Sequence, residues 1–149
     1  MQFKIPKPLT KEHEELHAEL VKATKEGGKL GEAARVVAKL LHPHFVKEED
    51  YALPPLGLLS QLAEGKLNPE MKDVLRMTDR LKAEFQEMLG EHRAIVEALR
   101  NLAEVAQKEG KEEYRRFAEK LALHAQTEEQ VLYPAAILIG EYLKMNLKG

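Results

Sequence analysis

Residues 81–102 read LKAEFQEMLGEHRAIVEALRNL, and this stretch shows most clearly that the chain is helical. Its apolar residues follow one another at alternating spacings of four and three, which is the period of an amphipathic helix and not the period of a strand. The face that they form consists of Leu81, Phe85, Met88, His92, Ile95, Leu99 and Leu102. One imidazole, that of His92, therefore lies in the middle of an apolar face, where burial without a partner costs free energy.

The rest of the chain repeats this helical pattern between glycine and proline breaks. We predict an all-α protein, an antiparallel up-down four-helix bundle with short extra helices. The predicted bundle helices are 11–25, 30–51, 69–108 and 111–133, and the short ones are 56–63 and 135–147. Pro54 and Pro134 are expected to end the second and fourth helices, because proline lacks the backbone donor. Gly90 is expected to mark a bend or a close approach in the third.

Composition favours one soluble globular domain that spans residues 1–149. Hydrophobic residues make up 44% and charged residues 32% of the chain, as in globular domains. The net charge of −2 gives no positive surface excess that would attract nucleic acid. No apolar run approaches the roughly 18 residues of a membrane span, and residues 1–9 lack the apolar core of a signal peptide. The absence of cysteine excludes disulfides and thiolate ligands. We expect a cytoplasmic monomer or homodimer with no nucleic-acid or membrane partner.

An internal repeat divides the chain into two halves. Its polar members are His13 and His92, His44 and His124, and Glu48 and Glu128, at offsets of 79 or 80 residues. In each half a histidine and a glutamate four residues apart share one helix face and interrupt an apolar stripe. Burying such groups unpaired is costly, so we expect these six side chains to meet in the bundle centre around a metal partner.

The donor set narrows the choice of metal. Imidazole and carboxylate without thiolate suit iron, manganese or zinc. Six ligands are too many for one tetrahedral zinc, whereas two bridging carboxylates and two histidines for each of two ions leave open coordination positions. In ferritin-like di-iron bundles the glutamate precedes the histidine by three residues, an order that fits this chain poorly.

At these residues the chain resembles the hemerythrin-like family, the HHE-type cation-binding proteins and their bacterial and archaeal relatives. The resemblance rests on the order His, His-x-x-x-Glu, His, His-x-x-x-Glu, and it covers most of the chain, from residue 13 to residue 134. It implies a four-helix bundle with two iron ions that are bridged by Glu48 and Glu128 and can bind or react with oxygen.

Two departures from the family's oxygen carriers argue against reversible oxygen carriage. Those carriers have a second histidine four residues from the first on the third helix, whereas Met88 and Val96 flank His92 here. They also have an aspartate five residues after the last histidine, where this chain has Glu129. The pattern is closer to relatives linked to sensing of oxygen, nitric oxide or iron, to iron handling and to peroxide chemistry.

The sequence therefore supports three functional hypotheses. The first is a di-iron protein that binds or senses a small molecule such as oxygen or nitric oxide, or handles iron. The second is a di-iron enzyme with peroxidase-type or oxidase-type activity, for which no additional acid or base is evident. The third is a structural helical-bundle interaction module. We favour a metal-binding or oxygen-binding protein over an enzyme.

Several polar residues near the six candidate ligands can be interpreted in more than one way. His17, four residues after His13, is either an additional metal ligand or a histidine at the rim. Tyr51, seven residues after His44, either donates a hydrogen bond to one of the candidate ligands or is a core or rim aromatic. His42 is expected to point away from the centre. Glu49 and Glu129 are expected to be solvated or to lie near the ligands, whereas Glu12 and Glu91 are expected to cap helices or to lie at the surface.

Overall fold

The computed structural model describes residues 3–147, so the two residues at each end of the predicted domain lie outside the described part. The helices are α1 (Lys7–Thr24), α2 (Gly28–Lys47), α3 (Leu59–Ala63), α4 (Leu75–Ala83), α5 (Phe85–Lys108), α6 (Glu112–Thr127) and α7 (Tyr133–Asn146). Residues 3–147 contain no strand, which confirms the all-α prediction. None of the helices in this part is long and apolar enough to cross a membrane.

The four long helices α1, α2, α5 and α6 form the predicted bundle. Contacts join α1 to α2, α2 to α5, α5 to α6 and α6 to α1, so the four close into a ring. The end of α1 shares an apolar core with the start of α2, the end of α5 and the start of α6. Successive helices therefore run in opposite directions. That core includes Leu20, Ala23, Leu30, Leu102, Ala106 and Tyr114.

A second apolar core closes the other end of the bundle. It is built from α4, α7 and the segments around them, and it includes Tyr51, Leu56, Met71, Leu81, Met88, Tyr133 and Leu143. The six candidate ligands belong to neither core. They form a buried polar layer across the bundle, and one apolar core packs on each side of this layer.

The internal repeat extends to the backbone. Each half changes from α-helix to a π-helical turn at its glutamate, over Glu48–Ala52 and over Glu128–Leu132. The N–H of Leu53 donates to the carbonyl of Glu48, and that of Tyr133 donates to the carbonyl of Glu128, five residues back in each case. π-Helical turns are rare in proteins, and those that occur are often found at functional sites. Their recurrence in both halves therefore indicates that the two glutamates are functional residues.

The prediction that Pro134 ends the fourth helix is wrong. Helix α7 begins at Tyr133 and continues directly from the π-helical turn. In an α-helix the proline ring would collide with the carbonyl four residues earlier, and the wider π-helical turn before Pro134 relieves that collision. Pro54 follows the matching turn and leads into a 3-10 segment, Pro54–Leu58. Pro43 lies inside α2, which continues through it.

The predicted third helix is also divided, and at a different place from the expected one. Residues 69–108 form a 3-10 segment, Pro69–Val74, followed by α4 and α5. The break falls at Glu84, whose φ is −97° and ψ is 9°, while Gly90 lies inside α5. The Glu84 carboxylate accepts hydrogen bonds from Arg80 Nε at 2.7 Å and from the Tyr51 hydroxyl at 3.2 Å. One local contact and one tertiary contact therefore hold the Glu84 side chain at a break that no glycine or proline marks.

Two helical glycines should respond oppositely to replacement by alanine. A Cβ at Gly140 in α7 would lie 2.3 Å from Thr78 Oγ1 and 2.7 Å from Thr78 Cβ, whereas a Cβ at Gly90 would meet nothing closer than 3.5 Å. We expect Gly140→Ala to lower the free energy of unfolding by about 1–3 kcal/mol, because overpacking displaces α7 from α4. We expect Gly90→Ala to raise it by up to about 1 kcal/mol through helix propensity. Denaturant unfolding measures both, and equal effects would contradict the packing of α7.

Candidate metal centre

The six side chains that the repeat singled out lie together in the buried polar layer. They form two overlapping groups whose donor atoms lie within 4.8 Å of one another: His44, Glu48, His92 and Glu128, and His13, His124 and Glu128. None of the six is more than 7% exposed. Each long helix supplies one histidine, and the glutamates come from the two π-helical turns. The helix pattern, the repeat and the π-helical turns thus all indicate the same six residues.

His44 and His92 define one side of the centre. Their Nε2 atoms are 2.8 Å apart. The Nε2 of His92 lies 3.1 Å from Glu128 Oε1, and the Nε2 of His44 lies 3.7 Å from Glu48 Oε1. Both imidazoles therefore point one nitrogen at the same small volume and at both carboxylates.

His13 and His124 define the other side. The Nε2 of His13 lies 3.8 Å from Glu48 Oε1 and 3.6 Å from Glu128 Oε2. The Nε2 of His124 lies 3.0 Å from Glu128 Oε2. The two glutamates thus stand between two pairs of histidines.

A second set of carboxylates surrounds the histidines on the outside. The Nδ1 atom of each candidate histidine faces one glutamate: Glu91 at 2.8 Å for His44, Glu129 at 2.9 Å for His92, Glu49 at 3.7 Å for His13, and Glu12, in close contact, for His124. The repeat relates these pairs, since Glu12 and His124 correspond to Glu91 and His44. Carboxylates in this position fix the orientation of a metal-binding imidazole and raise its basicity.

This arrangement leaves inward lone pairs without a partner. A neutral imidazole that donates its Nδ1–H to an outer carboxylate presents an unprotonated Nε2 to the centre. Four buried atoms indeed have no hydrogen-bond partner: His13 Nε2, His124 Nε2, Glu48 Oε1 and Glu128 Oε2. Orphaned buried acceptors are costly, and a metal cation satisfies several of them at once. The residues present therefore fit a metal centre.

The family comparison agrees with this geometry. The model of the hemerythrin HHE cation-binding domain matches residues 5–136, which is most of the chain. The chain belongs to the hemerythrin HHE cation-binding family. No curated protein and no solved structure matches it significantly. The family and the buried cluster of histidines and glutamates together support metal binding.

The two central glutamates of this HHE domain have opposite pKa shifts. Burial and the neighbouring Glu128 carboxylate raise the pKa of Glu48 well above its usual range. Burial acts in the same direction on Glu128, but the neighbouring Glu48 and the imidazoles around its carboxylate outweigh burial and hold its pKa well below the usual range. Burial lowers the pKa of His44. Protons compete with metal for the same donors, and the raised pKa of Glu48 favours the proton in that competition.

Tyr133 is the residue at this HHE centre whose role the sequence did not reveal. It is fully buried, and its hydroxyl donates to Glu48 Oε2 at 2.6 Å. The same oxygen lies 3.1 Å from the Nε2 atoms of His44 and His92. Burial, with the nearby Glu48 carboxylate, raises the pKa of Tyr133, so the phenol keeps its proton at neutral pH. Its repeat counterpart is Leu53, so a search for residues common to both halves passes over it.

The structure does not bring Tyr51 to the candidate ligands. Its hydroxyl donates to Glu84 Oε1 at 3.2 Å and contacts Met88 Sδ at 3.8 Å, in the second apolar core. The spacing argument assumed an unbroken α-helix from His44, and the π-helical turn that begins at Glu48 shifts Tyr51 out of that register. The core-aromatic interpretation describes its position.

His17 and His42 also lie outside the buried cluster. Both are exposed, and both line a surface groove between α1 and α2. His42 points away from the centre, as expected. His17 occupies the rim position and not a place among the six, although His13, four residues earlier, reaches the same groove.

The outer carboxylates give a test of how the histidines are held. We expect Glu91→Gln to weaken metal affinity by about 10–100-fold, because the uncharged amide holds the Nδ1–H of His44 less firmly and lowers the basicity of its Nε2. Glu87→Gln is the matched control, since Glu87 contacts Lys47 Nζ at 3.4 Å but no histidine. Competition with a chromophoric chelator measures both affinities. Equal affinities in the two variants would show that Glu91 does not support the centre.

Proposed function

We propose that the protein binds two iron ions in this centre and uses them to bind or sense a small molecule, such as oxygen or nitric oxide, or to handle iron. The observation that carries the proposal is the set of four buried donor atoms without hydrogen-bond partners: the Nε2 atoms of His13 and His124 and one oxygen each of Glu48 and Glu128. The donor set also suits manganese or zinc, so the identity of the metal is part of what an experiment must determine.

The candidate ligands divide naturally between the two ions. His13 and His124 would hold one ion, and His44 and His92 the other. Glu128 belongs to both groups of donor atoms, and Glu48 Oε1 lies 3.7 Å from His44 Nε2 and 3.8 Å from His13 Nε2, so both glutamates would help to hold the ions. The outer carboxylates would orient the imidazoles, and the two apolar cores would exclude bulk water from the layer. Two ferrous ions would supply electrons to a small oxidant, which neither the histidines nor the glutamates can do themselves.

Anaerobic loading tests this proposal directly. The apoprotein is given Fe(II), separated from free metal and analysed for iron per chain, after which oxygen or nitric oxide is admitted and the visible spectrum recorded. Two ions per chain and new visible bands when the gas is admitted are the expected result. Bands that reverse when the gas is removed favour binding, whereas irreversible oxidation favours the enzyme. Failure to retain iron, with manganese and zinc also excluded, would leave only the structural interaction module.

Tyr133 gives specific support to a second candidate function, a peroxide-consuming di-iron enzyme. Its phenol is a buried proton donor in contact with Glu48 and with His44 and His92, so it can hold or deliver a proton at the centre. We expect Tyr133→Phe to keep two irons per chain but to lower any peroxide turnover by at least about 100-fold, the usual contribution of a positioned acid or base. Tyr51→Phe is the control, and turnover that survives in Tyr133→Phe would remove the support for this candidate.

A further inference from the structure

A surface groove between α1 and α2 leads to one side of the candidate centre. Its cavity has a volume of about 410 Å³, and His13 lies on its wall. Around the same cavity lie His17 and His42, the aromatic ring of Phe45, and the carboxylates of Glu14 and Glu49. No lysine or arginine is among the residues that line it, so nothing there repels a cation.

The repeat places a matching groove on the opposite side of the bundle, and the comparison is informative. The α5–α6 groove is lined by the residues that correspond to those of the α1–α2 groove: Val96 for His17, Ala122 for His42, Ala125 for Phe45, Gln126 for Val46 and Glu129 for Glu49. His92, the counterpart of His13, is not on its wall. One groove thus has two imidazoles and reaches a candidate ligand, while the other has aliphatic side chains in their places.

The donor groups of the α1–α2 groove form a series from the surface to the centre. His17 and His42 are exposed. The side chain of Glu49 is 58% exposed, yet its Oε1 lies 3.7 Å from Nδ1 of His13. The side chain of His13 is only 5% exposed, its Nε2 has no hydrogen-bond partner, and that atom lies 3.6 Å from Glu128 Oε2. Imidazole and carboxylate alternate along this path, so a cation could exchange one ligand for the next.

We propose that this groove is the route by which metal ions reach the centre, with His17 and His42 as a surface capture site for a divalent cation. The proposal rests on the proposed metal-binding function. A metal ion can reach a buried centre only by passing the side chains that cover it. His13 is one of those side chains here, since it lines the groove and is also a candidate ligand. Phe45 stacks on the His13 ring, with centroids 4.2 Å apart, and holds that ring in place.

The test compares the rate and the extent of metal uptake. Apoprotein is mixed anaerobically with Fe(II), an excess of chelator is added after set times, and the iron that stays protected is counted per chain. We expect the double variant His17→Ala/His42→Ala to fill to the same final iron content as the original protein, but about tenfold more slowly, because the groove no longer concentrates the ion near His13. Both histidines are exposed, and circular dichroism checks that the fold is unchanged.

The opposite groove supplies the matched control. Val96→Ala/Gln126→Ala alters two residues of the α5–α6 groove, one at the position that matches His17 and one at the position that matches Val46, and should load at the original rate. An unchanged rate in the histidine variant, or an equal slowing in the control, would overturn the uptake route. A lower final iron content in the histidine variant would also overturn it, because His17 or His42 would then be a ligand of the final site. If the original protein retains no iron, it is the proposed function that fails, and the two failures are distinct.

Discussion

Glu128→Gln is expected to abolish the retention of both metal ions. Glu128 belongs to both groups of donor atoms, and its two oxygens reach three histidines. Oε2 lies 3.6 Å from His13 Nε2 and 3.0 Å from His124 Nε2, while Oε1 lies 3.1 Å from His92 Nε2. An amide offers one neutral oxygen where the carboxylate offers two oxygens that share a negative charge, so both groups of donor atoms lose a charged ligand. Iron analysis after anaerobic loading and gel filtration should fall from two ions per chain to none.

The neighbouring glutamate provides the control for this result. Glu129 lies next to Glu128 in sequence and contacts only the outer nitrogen of His92, at 2.9 Å. Glu129→Gln should therefore retain two ions, with an affinity lowered by about 10–100-fold. A Glu128→Gln protein that still holds two ions after gel filtration would show that the metal is bound elsewhere or without this carboxylate. The comparison separates the loss of a ligand from the loss of a nearby negative charge.

The sequence predicted much of the central layer because that layer depends on helix periodicity. A histidine and a glutamate four residues apart must share a helix face, and His44 with Glu48 does so as the spacing requires. The repeat then identified the matching pair in the other half, and an antiparallel bundle brings both halves to one level. The convergence of the six residues therefore follows from local geometry.

The outer carboxylates could not be predicted in the same way, because each contacts a histidine on another helix. Glu12 and Glu91 were assigned to the surface or to helix caps, and in the structure each contacts a histidine on another helix. Such contacts depend on the rotation and distance of neighbouring helices, which sequence spacing does not encode. The signal that could have found them is the recurrence of the Glu-His dipeptide at residues 12–13 and 91–92, since a solvated glutamate has no reason to recur beside a buried histidine.

Departures from α-helical geometry explain the remaining errors. The expected register of Tyr51 and the expected stop at Pro134 both assumed uniform α-helix, and both lie at or after a π-helical turn. The break at Glu84 has no glycine or proline nearby and is stabilised by its contacts with Arg80 and Tyr51. Tyr133 was missed for a different reason, since it breaks the repeat that guided the search. The two halves of the centre are therefore alike in their ligands and different in their surroundings.

Glu48→Gln is expected to stabilise the apoprotein while weakening the metal-loaded protein. Glu48 is fully buried beside Glu128, and burial together with that neighbour raises its pKa well above the usual range. A glutamine removes the like-charge conflict, and its carbonyl can still accept the hydrogen bond that Tyr133 donates to Glu48 Oε2. We expect the apoprotein to gain on the order of 2 kcal/mol, within the usual range for a single buried substitution. For a chain of this size that corresponds to a rise in Tm of roughly 5 °C.

The pH dependence of this gain has a definite sign. A carboxyl group whose pKa is higher in the folded protein than in the unfolded chain lowers the stability of the fold as pH rises above the unfolded value, since only the unfolded chain then releases the proton freely. The advantage of Glu48→Gln over the original apoprotein should therefore be small near pH 4 and should grow as pH rises towards the folded pKa. Glu49→Gln, which alters the exposed neighbour, should show no comparable gain.

Metal should reverse the order of the two proteins. An ion that binds only the folded state stabilises it in proportion to the logarithm of its concentration over Kd, and the original protein has the tighter site. Melting curves at neutral pH should therefore cross: Glu48→Gln melts higher with chelator present, and the original protein melts higher with saturating Fe(II) under anaerobic conditions. If Glu48→Gln melts lower in both conditions, the buried carboxyl is a structural partner of Tyr133 and not a group that the fold tolerates for the sake of a cation.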